Sequence, residues 1–342
     1  MLILGLESSC DDSAAAIVGS DRRILAHAVV AQHAAHQPYG GVVPEIAARA
    51  HVEILPPLIR QVLAEAKVSI HDIDAIAATA GPGLIGGVMV ALLAGKGLAL
   101  ATGQPLIAVN HLEGHALSPR LVDPELGFPY LLLLVSGGHC QLLEVAGVGQ
   151  YRRLATTIDD AVGEAFDKAA KLLGLDYPGG PALEALAAQG DTTAVPLPRP
   201  LLGSPEPHFS FAGLKSAVQR AVASGANQPA DIAASFQQAV IDCLVDRTAR
   251  ALEISDAPAL VVAGGVAANR SIRTALASLA QSSGRRFSVP PAWLCTDNAA
   301  MIAWAGVERL AAGLTDPLDA PARARWPLDE NAEKVRGAGV KA

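Results

Sequence analysis

Two similar pairs of apolar strands constrain the fold more than any other feature of the sequence. LILGLES (residues 2–8) ends in a serine and leads through a cysteine-containing turn into the apolar run SAAAIV (residues 13–18). YLLLLVS (residues 130–136) also ends in a serine, and a cysteine-containing turn connects it to QLLEV (residues 141–145). Each pair predicts a β-hairpin around a polar turn. The repeat indicates two related halves, although hairpins are common and two of them can look alike by chance.

Helical patterns alternate with short apolar strands after each hairpin, which predicts an α/β protein built in layers. A helix is predicted to begin at Pro44, to be interrupted at Pro56-Pro57 and to resume in LIRQVLAEA. Further helices are predicted at 160–174, 182–189, 212–224 and 230–252, from about Asn269, and after Asp297. The proline-containing tail from about residue 315 is predicted to be an irregular surface segment.

Composition narrows the class of protein. The 342 residues, of which 51% are hydrophobic, are enough for two domains. The net charge of -7 gives no sign of nucleic-acid binding by the chain as a whole. Four widely spaced cysteines without a CxxC pair predict a reducing compartment. Since the N-terminus has no basic region and carries Glu7, we expect no signal peptide and a cytoplasmic location.

Residues 75–95 carry no charge, a length that could span a bilayer. The sequence Gly81-Pro82-Gly83 divides this stretch after a short strand-like run. We therefore expect no membrane span, and we interpret LIGGVMVALLAGKGLAL as a helix buried on all sides in a soluble protein.

The segment NHLEGHALS contains a candidate metal site. His111 and His115 are one helical turn apart and follow an apolar strand, where open α/β sheets bind ligands. Asp297 in CTDNAAM is a carboxylate candidate at the start of another helix. Two imidazoles and one carboxylate suit Fe(II) or Zn(II) with open coordination positions, although a histidine pair at this spacing is more often a packing or surface feature. Glu113 would point about 200° from His111, so it is not placed as a protease base.

Three glycine-rich turns predict a nucleotide site. The first, Ser136-Gly137-Gly138, ends a strand, and Gly264-Gly265 ends another before a helix entry, while the third lies in YPGGP (residues 177–181). Glycines let backbone N–H groups approach a phosphate, and the nearby Asp167 and Glu184 could accept hydrogen bonds from ribose hydroxyls. Each turn alone would be an ordinary tight turn, and each carboxylate alone an exposed helix residue.

The first hairpin turn carries polar residues that could hold a metal or position water. They are Glu7, Ser8, Ser9, Asp11 and Asp12. The alternative is that serine and aspartate only cap the turn.

The ordered motifs resemble the TsaD family, formerly called the glycoprotease or O-sialoglycoprotein endopeptidase family. They are GLESSCDDS, HQPYGGVVPEIAARAH, NHLEGH, LVSGGHC, DAVGEAFDKAAKLLGLDYPGGP, FSFAGLKSA, GGVAANR and CTDNAAM, and they cover residues 1–312. The resemblance implies the ASKHA fold of actin-like ATPases and sugar kinases, two RNase H-like halves with a nucleotide and metal cleft between them. It implies one half from residues 1–120 plus about 296–330, a second from 121–295, and a tail from 331–342.

The resemblance also implies an activity, the transfer of a threonylcarbamoyl group from threonylcarbamoyl-AMP to N6 of the adenosine just 3′ of the anticodon. The affected tRNAs read codons that begin with A. The implied ligands of one divalent metal ion, Fe(II) in preference to Zn(II), are His111, His115 and Asp297. The implied substrate-binding residues are Leu134, Val135, Ser136, Gly137, Gly138, Asp167, Gly180, Glu184 and Asn269. Many relatives have aspartate at the position of Glu184, and Tyr130 is not assigned as a ligand.

Partners and rival functions follow from the same resemblance. Bacterial relatives work with TsaB and with the ATPase TsaE, and the helices of the first half, such as residues 44–66, are candidate docking faces. Candidate tRNA contacts are Arg22-Arg23, Arg152-Arg153 and Arg285-Arg286. The rival functions are an ASKHA-type ATPase or kinase, a non-catalytic scaffold subunit, and the metalloprotease of the old family name. A kinase or ATPase would not need His111 and His115. TsaB, the scaffold-like relative, lacks the histidine pair, so the intact NHLEGH argues against a scaffold role.

Overall fold

A computed structural model describes residues 1–39 and 41–335, and the chain divides into two compact units. Unit 1 consists of Met1–Leu126 together with Thr296–Glu330. Unit 2 contains Gly127–Cys295, to which the described residues 331–335 also belong. The main part of unit 2, Gly127–Cys295, is therefore inserted in sequence between the two parts of unit 1.

Unit 1 contains one five-stranded mixed sheet. Its elements are β1 (Leu2–Glu7), β2 (Asp12–Gly19), β3 (Ile24–Ala31), α1 (His33–His36), α2 (Pro44–Ala66), β4 (Ala75–Gly81), α3 (Ile85–Thr102), β5 (Leu106–Asn110), α4 (His111–Val122) and, after unit 2, α11 (Ala299–Ala311). The strand order is β3-β2-β1-β4-β5. The β1–β2 and β2–β3 pairs are antiparallel, whereas β1–β4 and β4–β5 are parallel.

Successive side chains of β1 point to opposite faces of this sheet, and helices pack on both faces. Leu4 and Leu6 belong to the core cluster under α2 and α3. Ile3 and Gly5 point to the opposite face, where α11 packs. A Cβ at Gly5 would lie 2.4 Å from the carbonyl oxygen of Ala299, so glycine is required for this close approach. Helix α11 thus follows unit 2 in sequence but completes the core of unit 1.

Unit 2 repeats the sheet of unit 1. Its elements are β6 (Tyr130–Val135), β7 (Cys140–Gly147), β8 (Gln150–Thr156), α5 (Val162–Leu172), α6 (Gly179–Ala187), α7 (Ala212–Ser224), α8 (Pro229–Ile254), β9 (Ala259–Ala263), α9 (Arg270–Ser282), β10 (Arg286–Ser288) and α10 (Ala292–Cys295). The strand order β10-β9-β6-β7-β8 is that of unit 1 read from the other edge, with antiparallel and parallel pairs in equivalent places. The prediction of an α/β fold whose two halves each begin with a hairpin is confirmed.

Helix α2 is continuous, so the predicted interruption at Pro56-Pro57 is wrong. A proline inside a helix removes one backbone donor and crowds the preceding turn. On the buried face of α2, however, Leu55, Leu58 and Ile59 pack in the core of unit 1 around the two prolines. This burial maintains the helix through the double proline, because tertiary packing can override local propensity.

Helix α3 is buried on one face only, which corrects the prediction of a helix buried on all sides. Gly87, Ala91 and Gly95 lie on its buried face, whereas Leu93 is 55% exposed and Leu100 is 72% exposed. Of the helices in the described residues, Ile85–Thr102 has a length and hydropathy that would allow a membrane crossing, and 33% of that window is buried. Uniform hydrophobicity cannot distinguish a helix enclosed on all sides from one with an exposed apolar face.

The segment after α11 is irregular, as predicted, but it is bonded to the sheet of unit 1. We call residues 316–326 the C-terminal strap. The backbone N–H of Asp316 donates to the carbonyl of Leu106 at 2.9 Å, beside the edge strand β5. The backbone N–H of Arg323 donates to the carbonyl of Ala80 at 2.8 Å. The strap therefore covers part of the exposed edge of the sheet and crosses the end of β4.

Candidate metal centre and nucleotide pocket

The junction of β5 and α4 positions the two histidines. Asn110 ends β5, and its side-chain oxygen accepts a hydrogen bond from the backbone N–H of Leu112 at 2.9 Å, which caps α4. Its side-chain Nδ2 donates to the carbonyl of Trp326 in the strap, also at 2.9 Å. His111 and His115 follow on one face of α4, with ring centroids 4.8 Å apart and planes nearly perpendicular. Both rings are buried.

Asp297 meets both histidines from the start of α11. Its Oδ1 lies 3.1 Å from Nε2 of His115 and 3.5 Å from Nε2 of His111. One ligand atom from each of the three residues lies within 4.8 Å of the other two. The structure thus brings together the three candidate ligands, all within unit 1. Two imidazole nitrogens and one carboxylate oxygen form a donor set that suits Fe(II) or Zn(II) and leaves coordination positions for other groups.

Glu7 contacts the ring nitrogen of His111 that does not face Asp297, and so orients the ring. Its Oε2 lies 2.9 Å from Nδ1 of His111 and accepts a hydrogen bond from the hydroxyl of Thr79 at 2.7 Å. Its Oε1 accepts from the backbone N–H of Ser9 at 2.5 Å. Because a carboxylate only accepts, Nδ1 of His111 carries a proton, and Nε2 is the nitrogen that faces Asp297. Sequence reasoning grouped Glu7 with the turn acids without assigning it this role.

The charges at this cluster favour a cation. Although burial lowers the pKa of His111, Asp297 and Glu7 raise it well above its ordinary value. Although burial raises the pKa of Asp297, the two histidines hold it well below its ordinary range. Burial lowers the pKa of His115, whose Nδ1 has no hydrogen-bond partner among the described residues. Positive charge is therefore stabilised between the two carboxylates, where a metal ion would replace the proton of His111.

Two other acidic candidates, Glu113 and Asp12, lie outside the three-residue cluster. The Oε2 of the buried Glu113 accepts from Nη1 of Arg309 at 3.0 Å, so Glu113 ties α4 to α11. Asp12 lies at the start of β2, and within the described part of the chain its buried Oδ1 has no hydrogen-bond partner. Burial, followed by the charges of Asp297, Asp11 and Glu7, raises the pKa of Asp12 to about 8.

Unit 2 contains a separate cavity of about 220 Å³ that includes several of the substrate-binding candidates. The candidates that line it are Gly137, Asp167, Gly180, Glu184 and Asn269. Leu134 and Val135 are fully buried within β6, and neither they nor Ser136 and Gly138 are among the lining residues. Further walls of this cavity come from Pro178, Pro181 and Gly265, which lie in two of the predicted glycine-rich turns. Sequence reasoning did not assign the remaining lining residues, Gly163, Phe166, Val266 and Ala268.

The polar residues of this cavity also hold its walls together. Oδ1 of Asp167 accepts from the backbone N–H of Gly179 at 3.0 Å, at the start of α6. Oε1 of Glu184 accepts from the backbone N–H of Arg270 at 2.8 Å. Asn269 caps α9, and its Nδ2 donates to Oε1 of Gln237 at 2.9 Å. The cavity is therefore an apolar recess with a rim fixed by hydrogen bonds.

The arginine pairs considered as tRNA contacts already make intramolecular contacts. Nε of Arg22 donates to the carbonyl of Arg120 at 2.9 Å, and the Arg22 guanidinium lies over the Trp304 ring. The others are Arg23 with Asp21, Arg152 with Glu144, Arg153 with the carbonyl of Glu333, and Arg285 with the carbonyls of Ala257 and Ser255.

Two solved structures with the same fold are distant from this chain in sequence. The chain aligns over 91% of its length with full-length HypF, with a TM-score of 0.61, 13% identity and 46% of that chain covered. It aligns over 91% of its length with component A of the (R)-2-hydroxyglutaryl-CoA dehydratase of Acidaminococcus fermentans, with a TM-score of 0.55, 18% identity and 99% of that chain covered. These likenesses support the ASKHA-type fold and nothing about chemistry.

Relatives by sequence are much closer. The family model described as "TsaD: tRNA N6-adenosine threonylcarbamoyltransferase" matches residues 23–304. The tRNA N6-adenosine threonylcarbamoyltransferase of Sphingopyxis alaskensis is 74% identical, with 100% of this chain and 99% of the relative covered. That of Novosphingobium aromaticivorans is 69% identical with the same coverage. The chain therefore belongs to the TsaD family, the transferases that place a threonylcarbamoyl group on N6 of adenosine in tRNA.

Proposed function

We propose that the transfer depends on one divalent metal ion held by His111, His115 and Asp297, with Fe(II) preferred to Zn(II). The observation that carries the proposal is the convergence of the three ligand atoms within 4.8 Å. The contact between Glu7 and His111 supports it, because metal-ligating histidines usually donate their second ring N–H to a carboxylate or carbonyl. When bound, the metal supplies Lewis-acid polarisation of the donor near its carbonyl or phosphate.

The residues of the chain then bind and orient. Glu7 keeps the proton of His111 on Nδ1, and Asn110 fixes the first turn of α4. The substrate amine attacks the carbamoyl carbon of threonylcarbamoyl-AMP and forms the new C–N bond. The C–O bond to the phosphate breaks, AMP leaves with that oxygen, and the amine proton is released to solvent. An amine on an aromatic ring is a weak nucleophile, so alignment contributes more than a strong base. In unit 2, the cavity bounded by Gly137, Gly180 and Phe166 receives the adenylate part of the donor.

The rival functions have less support. A kinase or ATPase with this fold has no need of a buried histidine pair that faces a carboxylate. A metalloprotease would require a glutamate base next to the metal, but Glu113 pairs with Arg309. A scaffold subunit has no need of the histidine and carboxylate set.

The metal proposal is tested with His111→Ala and with His71→Ala as the control, because His71 is an exposed histidine of the same unit. Purified proteins are analysed for metal and assayed for transfer to tRNA with donor and partner subunits present. The His111 variant is expected to lose both the metal and the transfer, whereas the His71 variant keeps both. Normal transfer by the His111 variant refutes the metal role.

The adenylate proposal is tested by filling the cavity. A Cβ at Gly180 or at Gly213 meets no atom within 4 Å, and both glycines lie in helices, but only Gly180 lines the cavity. Gly180→Leu is therefore expected to weaken AMP binding measured by calorimetry, whereas Gly213→Leu does not. Equal AMP affinity in the two variants contradicts the assignment.

The proposed partners are tRNA, a TsaB subunit and the ATPase TsaE, acting in the cytoplasm. The docking face for TsaB is the apolar surface of α2 and α3, which includes Val52, Met89 and Leu93 at 59%, 44% and 55% exposure. Leu93→Glu is expected to abolish co-purification with TsaB, whereas Leu202→Glu in unit 2, at a residue of 51% exposure, retains it. Retention by both variants removes this face as the docking site.

A further inference from the structure

The turn between β1 and β2 is held by three separate parts of unit 1. We call residues 8–11 the β1–β2 turn. The carbonyl of Ser9 accepts from the backbone N–H of Leu84 at 2.8 Å, and that of Asp11 from the backbone N–H of Gln32 at 3.1 Å. The carbonyl of Cys10 accepts from a side chain, Nε2 of His51, at 3.1 Å. Three consecutive carbonyls are thus fixed from three directions.

This turn reaches the candidate metal centre through two contacts to His111. Glu7, which immediately precedes the turn, accepts the proton of His111 Nδ1 at 2.9 Å. Oγ of Ser9 lies 3.1 Å from the same nitrogen. Glu7 is also bound by the backbone N–H of Ser9, so the position of the turn sets the position of the carboxylate. Movement of the turn would therefore move the groups that orient His111.

His51 has a fixed protonation pattern. Its ring is fully buried on α2. Because the carbonyl of Cys10 can only accept, Nε2 of His51 carries the proton. Nδ1 then accepts from the hydroxyl of Ser13 at 2.7 Å and from Nε2 of Gln32 at 3.1 Å. Burial lowers the pKa of His51, which agrees with a neutral ring.

The partners of His51 are held in turn by a second buried histidine. Oε1 of Gln32 lies 3.3 Å from Nε2 of His36, which is also fully buried. Nδ1 of His36 accepts from the backbone N–H of Val43 at 3.3 Å, just before α2 begins. A continuous hydrogen-bonded path therefore runs from the start of α2 through His36, Gln32 and His51 to the β1–β2 turn.

Helix α3 leaves the imidazole of His51 little room to move. A Cβ at Gly87 would lie 2.4 Å from the carbonyl oxygen of Ser8 and 3.3 Å from Cδ2 and Nε2 of His51. The hydroxyl of Ser8 donates to the carbonyl of Gly87 at 2.8 Å and accepts from the backbone N–H of Ala91 at 2.9 Å. The turn, the ring of His51 and α3 are thus in close contact at a position that requires glycine.

We propose that His51 is a positioning residue for the transfer reaction, which holds the carbonyl of Cys10 so that the β1–β2 turn keeps Glu7 and Ser9 on His111. The hydrogen bonds of His51 go to the carbonyl of Cys10, to Ser13 and to Gln32, so we place its effect on the centre in the turn. The inference rests on the proposed metal role of His111.

The test compares His51→Leu with His51→Gln and with Val62→Ala. Leucine fills the space but donates nothing to the Cys10 carbonyl, whereas the glutamine amide offers one donor and one acceptor. Val62→Ala is the matched control, because Val62 is a fully buried residue of α2 that packs in the core cluster of unit 1. Each protein is measured for urea unfolding, for Co(II) affinity and its visible spectrum, and for kcat and KM of transfer.

His51→Leu is expected to weaken Co(II) binding and to lower kcat by about tenfold, with KM unchanged. Tenfold is the low end of the effect of losing a contact that supports a metal ligand. His51→Gln is expected to restore both within about threefold. Ser13→Ala, which removes one hydrogen bond to Nδ1 of His51, gives a smaller loss in the same direction and serves if the leucine variant does not fold.

Three outcomes overturn the inference. The first is that His51→Leu, or Ser13→Ala in its place, matches Val62→Ala in kcat and in its Co(II) spectrum. The second is that His51→Gln is no more active than His51→Leu. The third is a loss of activity that appears only in KM. Failure of the underlying metal role is recognised separately, because His111→Ala then remains active. An inactive His111→Ala combined with an unaffected His51→Leu refutes only the inference.

Discussion

Replacing Glu7 by glutamine tests the orientation of His111 most directly. The carboxylate accepts three hydrogen bonds, from His111, Thr79 and the backbone of Ser9. The first two share Oε2, and the third uses Oε1. A carboxamide has one oxygen, so its NH₂ group must face a donor at one of the two ends.

The size of the effect follows from that geometry. One buried donor loses its acceptor, which costs about 1–3 kcal/mol of the free energy of unfolding. The supporting contact to a metal-ligating histidine is also weakened, which lowers metal affinity by about 10–100-fold, or about 1.4–2.8 kcal/mol. We therefore expect Glu7→Gln to be less stable and to bind metal more weakly.

The assay is Co(II) or Zn(II) titration of the purified variant combined with urea unfolding. Glu65→Gln is the control, since Glu65 is an exposed carboxylate of α2. Wild-type metal affinity, to within about twofold, in Glu7→Gln would show that Glu7 does not support a metal ligand.

Two further predictions concern buried charges. Arg309→Met should lower the free energy of unfolding by about 3–5 kcal/mol, because it removes the positive charge of an ion pair from the buried carboxylate of Glu113. Urea unfolding measures this, and the double variant with Glu113→Gln should recover part of the loss. Asp12→Asn should stabilise the metal-depleted protein increasingly as pH rises from about 4 to about 8, because the pKa of Asp12 is raised from 3.8 to about 8 and the folded state therefore opposes its ionisation. Unfolding across this pH range checks the sign, and a gain in stability that shrinks with rising pH contradicts it.

The hairpins and the parallel strands of both units could be predicted because their apolar runs end in turn residues. The first strands and the helices starting near Pro44, Pro229 and Arg270 follow local patterns of this kind. The strands β3, β8 and β10 were not predicted. β8 (QYRRLAT) and β10 (RFS) contain polar and charged residues, so they lack the continuous apolar signal of the central strands. β3 (ILAHAVVA) is largely apolar, so a signal for it was present in the sequence.

The candidate ligands were identified from a local histidine spacing and a family resemblance. The roles of Glu7 and His51 could not be identified in this way. Glu7 approaches a histidine 104 positions later in the chain, and His51 approaches a carbonyl 41 positions earlier. Contacts between such distant residues depend on sheet order and helix packing, which periodicity does not specify. The error at α3 has a similar origin, because the identity of its neighbours is set by the tertiary fold.

The insertion of unit 2 into unit 1 determines the order in which a ribosome can produce a finished centre. When synthesis has reached Leu126, both histidines exist, but Asp297 and the helix that covers one face of their sheet are still to be translated. An emerging chain therefore has no complete donor set until the whole inserted unit has followed it. A metal ion at the proposed site could therefore meet all three ligands only after Asp297 has been synthesised, and a chain truncated in unit 2 cannot form the proposed site.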